Sequence, residues 1–74
     1  MRRVAYFLHK SPSGRLIAKV LAHRPPRIGI KVYDSKGRFV GKVIDIIGPV
    51  NSPYIVIKPS DHPDLKPYDE LFIR

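Results

Sequence analysis

Apolar and polar positions alternate in short runs along the whole chain, and each run is stopped by proline, glycine or a polar turn. Val4–His9 sets Val4, Tyr6 and Leu8 on one face of an extended segment and Ala5, Phe7 and His9 on the other. Period-two alternation predicts a strand, and two fairly apolar faces suit a barrel wall covered from outside. Lys10–Arg15 reads as a turn in which Gly14 is free to take positive φ, and Leu16–Ala22 completes a hairpin. The double proline of His23-Arg-Pro-Pro-Arg27 forces an extended connection poor in donors, which fits a crossing between barrel edges. Ile30–Tyr33 is a short strand, Asp34–Gly37 a type I turn with a glycine bulge, and Arg38–Ile47 a long strand. Gly41, inside that strand, is costly unless the chain bends there or another backbone comes close. Gly48-Pro49 ends the strand, Tyr54–Lys58 is the fifth, Pro59–Pro67 a polar loop and Tyr68–Ile73 the sixth. Asp61–Lys66 is long enough for one helical turn, which the pattern does not demand.

Six short strands in 74 residues are too few for a two-sheet sandwich with a full core. They predict an all-β fold, a small six-stranded antiparallel barrel, closed or partly closed, as one domain over residues 1–74. Closure removes the exposed strand edges that invite aggregation. The chain has no cysteine, so disulfides, thiolate nucleophiles and cysteine-based zinc sites are excluded. The longest apolar stretches are four or five residues, far below the roughly 18–20 of a membrane helix. No export signal is expected either, and the expected setting is intracellular.

Charge adds a direction. Residues 1–33 carry eight Lys and Arg and no acid, whereas residues 34–74 carry six of each, so the net +8 sits entirely in the first half. Arg2, Arg3, Arg15, Arg24 and Arg27 are therefore candidates for contact with RNA or an acidic protein surface.

Catalysis finds little support. His9, His23 and His62 have no partner at metal-ligand spacing and read as exposed polar positions. Asp61, Asp64 and Asp69 share a loop but lack the glycine and terminal Glu of a calcium loop. Asp45 lies between Ile44 and Ile46, where it either orients a basic residue or simply points outward. The glycines are isolated, so no phosphate-cradling loop exists. No catalytic residue, metal or cofactor is expected. Most of the aromatics are expected in the core, leaving base stacking to a minority.

Gly48-Pro-Val-Asn-Ser-Pro-Tyr54 is a different matter. Two prolines stiffen a surface connection that carries Val50 and Tyr54, and a rigid apolar loop loses little entropy on binding. It reads as a protein-docking element, the alternative being a rigid connection with Tyr54 folded inward.

Gly29-Ile-Lys-Val-Tyr-Asp34, Gly37-Arg-Phe-Val-Gly-Lys-Val-Ile-Asp-Ile-Ile-Gly-Pro-Val50 and Ser52-Pro-Tyr-Ile-Val-Ile-Lys-Pro59 together resemble the GAR-type subunit of H/ACA ribonucleoproteins. The resemblance covers roughly Leu16–Pro59. Without glycine-arginine-rich tails, the chain is similar to the short archaeal-type form. The resemblance implies a barrel of the translation-factor β-domain type and a non-catalytic accessory subunit in pseudouridylation of ribosomal RNA. It implies docking on a dyskerin-type pseudouridine synthase, with H/ACA guide RNA and substrate rRNA met mainly through the complex. There the subunit acts on a mobile loop of the enzyme and aids substrate handling and turnover. By motif position Ile47, Gly48, Pro49 and Val50, with Pro53, Tyr54 and Val56, become the docking candidates. The implied location is cytoplasmic for an archaeal form and nucleolar in eukaryotic relatives. A competing reading is a barrel that binds RNA directly through the five arginines. A third is a detached barrel module of the translation or ribosome-maturation type.

Overall fold

The glycine and proline punctuation sets the strand ends. A computed structural model describes residues 1–61 and 63–74 and contains six strands. They are β1 (Arg2–Lys10), β2 (Leu16–Val20), β3 (Lys31–Tyr33), β4 (Phe39–Ile47), β5 (Tyr54–Pro59) and β6 (Glu70–Ile73). No helix occurs among the described residues. All neighbouring strands are antiparallel and close into a barrel in the order β1-β2-β5-β4-β3-β6. The closure expected from strand count is therefore complete.

The turns form as their chemistry requires. Gly14 and Gly37 have φ of 86° and 81°, values at which a Cβ is strained. Asp34 builds the β3–β4 turn: its Oδ1 accepts the Lys36 and Arg38 backbone N–H groups, each at 2.9 Å, and its Oδ2 pairs with Arg38 Nε at 3.1 Å. Burial pushes the Asp34 carboxyl up, but those donors and the guanidinium charge outweigh it and hold the group below its ordinary value.

Inside the barrel Val32, Val43, Ile55, Ile57 and Leu71 are fully buried, and among the described residues no polar or charged side chain is buried with them. The aromatics are distributed against expectation. Phe7 alone is buried; Tyr6, Tyr33, Tyr54 and Phe72 are half-buried on the outer wall, and Phe39 and Tyr68 are exposed. A six-stranded barrel has a narrower interior than the eight-stranded kind that side chains just fill, so branched aliphatics pack it and most rings go outside.

Four bulges change which residues face inward; the one at Val40, opposite β3, leaves Val40 and Gly41 both buried. Slips around Val4 and Leu8 break the strict alternation expected for β1. Val4 is consequently buried together with Ala5 and Phe7, instead of sharing the outward face with Tyr6 and Leu8. In β4 the register slips between Val43 and Asp45. Counting strictly from buried Val43 would place Asp45 inside. The extra residue turns both Ile44 and Asp45 outward and brings Ile46 back against the core. Among the described residues Asp45 has no basic partner; its Oδ1 accepts the adjacent Ile46 N–H at 2.8 Å.

Gly41 meets the expectation of a close approach. It is buried opposite Val32 and Pro59, and a Cβ there would collide with the Lys58 carbonyl oxygen. Tyr68, expected to open β6, instead sits in a turn closed by Asp69 N–H donating to the Lys66 carbonyl at 3.0 Å. Its φ of 72° is positive, the only such value at a non-glycine residue among those described.

Candidate interaction surface

β4 and β5 are joined by a loop whose shape follows from a few contacts. Gly48, at φ 87°, turns the chain out of β4, and the Ser52 N–H closes the turn on the Pro49 carbonyl at 3.1 Å. Pro53 offers its carbonyl to the Val20 N–H at 3.2 Å, which ties the loop to the end of β2. Lys19 reaches across from β2: its Nζ donates to Ser52 Oγ and lies 4.6 Å from the centre of the Tyr54 ring. The ring also packs on Gly48, where a Cβ would come to 3.0 Å from Tyr54 Cδ1. Any side chain at position 48 would thus lift the ring. Tyr54 is a half-buried spacer that fixes the loop, between the two roles left open by the sequence.

Val50 stands at the tip, 96% exposed. Behind it the outer wall is unusually apolar. Ile47 lies opposite Tyr54, and Val56 lies between Asp45 and Ile17. Ile44 and Ile47 are both exposed, while Val56 and Ile17 are half-buried. The docking candidates Ile47, Gly48, Pro49, Val50, Pro53, Tyr54 and Val56 are therefore contiguous. Ile17, Lys19 and Ile44 belong to the same surface and were missed. For Ile44 a signal existed, since a lone Asp45 among isoleucines marks a slip in alternation. Ile17 and Lys19 reach the surface only through the β2–β5 pairing.

The arginines do not form one patch. Leu21 and Ala22 donate their N–H groups to the Val4 carbonyl at 2.8 and 3.2 Å, so the His23–Arg27 connection leaves from the β1 end that carries Arg2 and Arg3. The same end holds the β4–β5 loop, through Val20 and Pro53. Arg15 lies at the opposite end, beyond the β1–β2 hairpin turn. Arg3 is also engaged, 2.6 Å from Glu70. Arg2, Arg24 and Arg27 are exposed, as are His9 and His23. His62 lies outside the described residues. Among the described residues no group of three His, Asp or Glu is placed to hold a metal ion, and no helix is long and apolar enough to cross a membrane.

Fold and surface together define a small closed β-barrel whose chemistry lies on its outer wall and in its loops. The sequence matches the family described as "Gar1/Naf1 RNA binding region" over residues 4–74. The chain belongs to the Gar1/Naf1 family, and its role is RNA-related. It is 43% identical over 60 residues to an uncharacterized protein of Methanothermobacter thermautotrophicus, covering 81% of this chain and 63% of that protein. It is 50% identical over 52 residues to an uncharacterized protein of Methanocaldococcus jannaschii, covering 70% of this chain and 60% of that one. The aligned region thus spans less than two thirds of each relative.

Proposed function

We propose that this barrel is a non-catalytic accessory subunit of an H/ACA guide-RNA pseudouridylation complex. It docks on a dyskerin-type pseudouridine synthase through the β4–β5 loop and the wall of Ile47, Tyr54 and Val56, and aids substrate RNA handling and turnover. The observation that carries the reading is Val50: a fully presented apolar side chain on a loop already fixed by Tyr54, Lys19 and Ser52. A loop held in place before binding loses little freedom on contact, and its apolar tip gains most by leaving water. Arg24 and Arg27 leave from the same end of the barrel and would speed encounter with an acidic face of the enzyme.

The test is Val50→Asp, measured by titrating the variant against the purified synthase. A charge placed in a desolvated contact without a partner costs about 2 kcal/mol or more, roughly a thirtyfold loss of affinity. Multiple-turnover pseudouridine formation should fall in parallel, while the melting temperature stays put because the side chain touches nothing in the barrel. By contrast, Arg24→Ala with Arg27→Ala should slow association and flatten its salt dependence. Undiminished synthase binding by Val50→Asp would refute docking through this loop.

A further inference from the structure

Three lysines from distant parts of the chain meet on the outer wall. Lys31 on β3 lies directly opposite Lys42 on β4, and Lys42 lies directly opposite Lys58 on β5. All three are exposed, and none joins an ion pair among the described residues. Neighbouring strands are about 4.8 Å apart, so the three side chains are rooted within roughly 10 Å of one another. Like charges set directly opposite destabilise a sheet, and this row does so at two successive pairings. The fold gains nothing in return, since the side chains point away from the core.

The acids nearby do not neutralise the row. Asp45 is on the same wall but opposite Val56, turned to its neighbour's N–H. Asp61 and Asp64, in the loop after β5, line a hollow with Asp34, Arg38 and Phe39, where Asp34 is paired with Arg38. At the next level of the wall Tyr33 lies opposite Phe39, with ring centres 5.9 Å apart and Phe39 43% exposed. Uncompensated cations beside a part-exposed aromatic are what a single-stranded nucleic acid requires, with phosphates on the cations and a base on the ring.

We propose that the Lys31–Lys42–Lys58 row, with Phe39 beside it, is a contact site for the backbone of single-stranded RNA. The row is at the Pro59 end of the β4–β5 wall. Lys58 is about 13 Å along β5 from Tyr54, so RNA on the row and a protein on the loop fit the barrel together. The inference locates the RNA association of the family and does not depend on docking to the synthase. An acidic protein surface would also be drawn to lysines, and competition between polyglutamate and RNA separates the two.

The experiment is fluorescence anisotropy of the full chain with a labelled oligouridylate of about twelve nucleotides, over a series of salt concentrations. Lys42→Glu converts both like-charge pairings into opposite-charge ones, so its melting temperature should hold or rise while RNA affinity falls about tenfold or more. Lys36→Glu makes the same change of net charge in the Asp34–Gly37 turn and should bind nearly as the unaltered protein does. Replacing all three row lysines with glutamine should lower the log–log salt slope by about 2, since each phosphate contact on a single strand contributes about 0.7. Equal affinities for Lys42→Glu and Lys36→Glu would overturn the site. So would an absence of RNA binding, or competition by polyglutamate as effective as that by RNA, which would assign the row to an acidic protein. No arm uses the synthase, so a failed docking interface leaves the result intact.

Discussion

Gly41 provides the sharpest test of the packing. It is a glycine for want of space and not for an unusual backbone angle, since its φ is not among the positive ones. A Cβ there would strike the Lys58 carbonyl oxygen and sit 2.9 Å from Ile57 Cγ2 and 3.0 Å from the Lys58 carbonyl carbon. The Ile57 methyl can rotate away, but the carbonyl belongs to the β4–β5 ladder and cannot move without breaking it. Gly41→Ala should therefore cost about 1–3 kcal/mol in overpacking, against a gain of about 0.4–1 kcal/mol from a less flexible unfolded chain. A net loss of about 1–2 kcal/mol in a domain this small lowers the melting temperature by roughly 4–16 °C. The assay is thermal unfolding followed by circular dichroism, with Gly14 as the contrast. Gly14 has open space around it and a φ of 86°. Asparagine, which tolerates that conformation, should be accepted at position 14 but damaging at position 41. A Gly41→Ala variant melting within about 2 °C of the unaltered protein would show that the ladder yields and that the carbonyl does not demand glycine.

Two further outcomes follow from the turns. Tyr68 holds a left-handed conformation while its ring is 72% exposed, so Tyr68→Asn should raise the melting temperature by about 2–4 °C, for about 0.5 kcal/mol; a fall would mean that the Tyr6–Tyr68 ring contact at 5.8 Å outweighs the strain. Asp34 has a carboxyl whose folded pKa is lowered, so its contribution is present above the unfolded value of about 3.9 and is lost as pH falls through the lower folded value. Asp34→Asn keeps an oxygen for the two backbone donors but has no proton to take up, so its melting temperature should decline less than that of the unaltered protein between about pH 5 and pH 2; parallel declines would contradict the assignment.

The strands were legible because their ends are chemical. Gly14, Gly37 and Gly48 sit where a turn needs positive φ, and the prolines of His23–Arg27 forbid a strand there. What could not be read were the places where pairing between distant segments overrides local alternation. Val4, Leu8, Val40 and Ile44 are each the extra residue of a bulge, because the partner strand sets the register. Tyr68 looked like a strand residue by composition, yet its N–H donates to the Phe7 carbonyl at 2.6 Å and the Asp69 carbonyl accepts from Phe7 at 2.8 Å. Those bonds pin the segment to β1 before β6 begins. The β4–β5 loop was visible as a candidate because its stiffness and apolar tip are contiguous in sequence. The lysine row was not, because Lys31, Lys42 and Lys58 become neighbours only when β3, β4 and β5 pair.

The outward placement of the aromatics connects these observations. Had Tyr33, Phe39, Tyr54 and Phe72 filled the core, the outer wall would offer a partner only short aliphatics and flexible lysines. The narrow interior instead excludes them, and the wall gains rigid rings seated on a closed sheet, with few rotamers to lose on contact. Tyr54 shows one use, held by Gly48 and Lys19 so that it sets the loop. The Tyr33–Phe39 pair shows another, with Arg74 Cζ 4.3 Å over the Tyr33 ring and Phe39 left open beside the lysine row. The Tyr33 face thus already holds a cation in the arrangement that ring-quadrupole attraction favours. Barrel size therefore bears on recognition as well as stability: with six strands the same residues that fail to fit inside become the surface that other molecules can read.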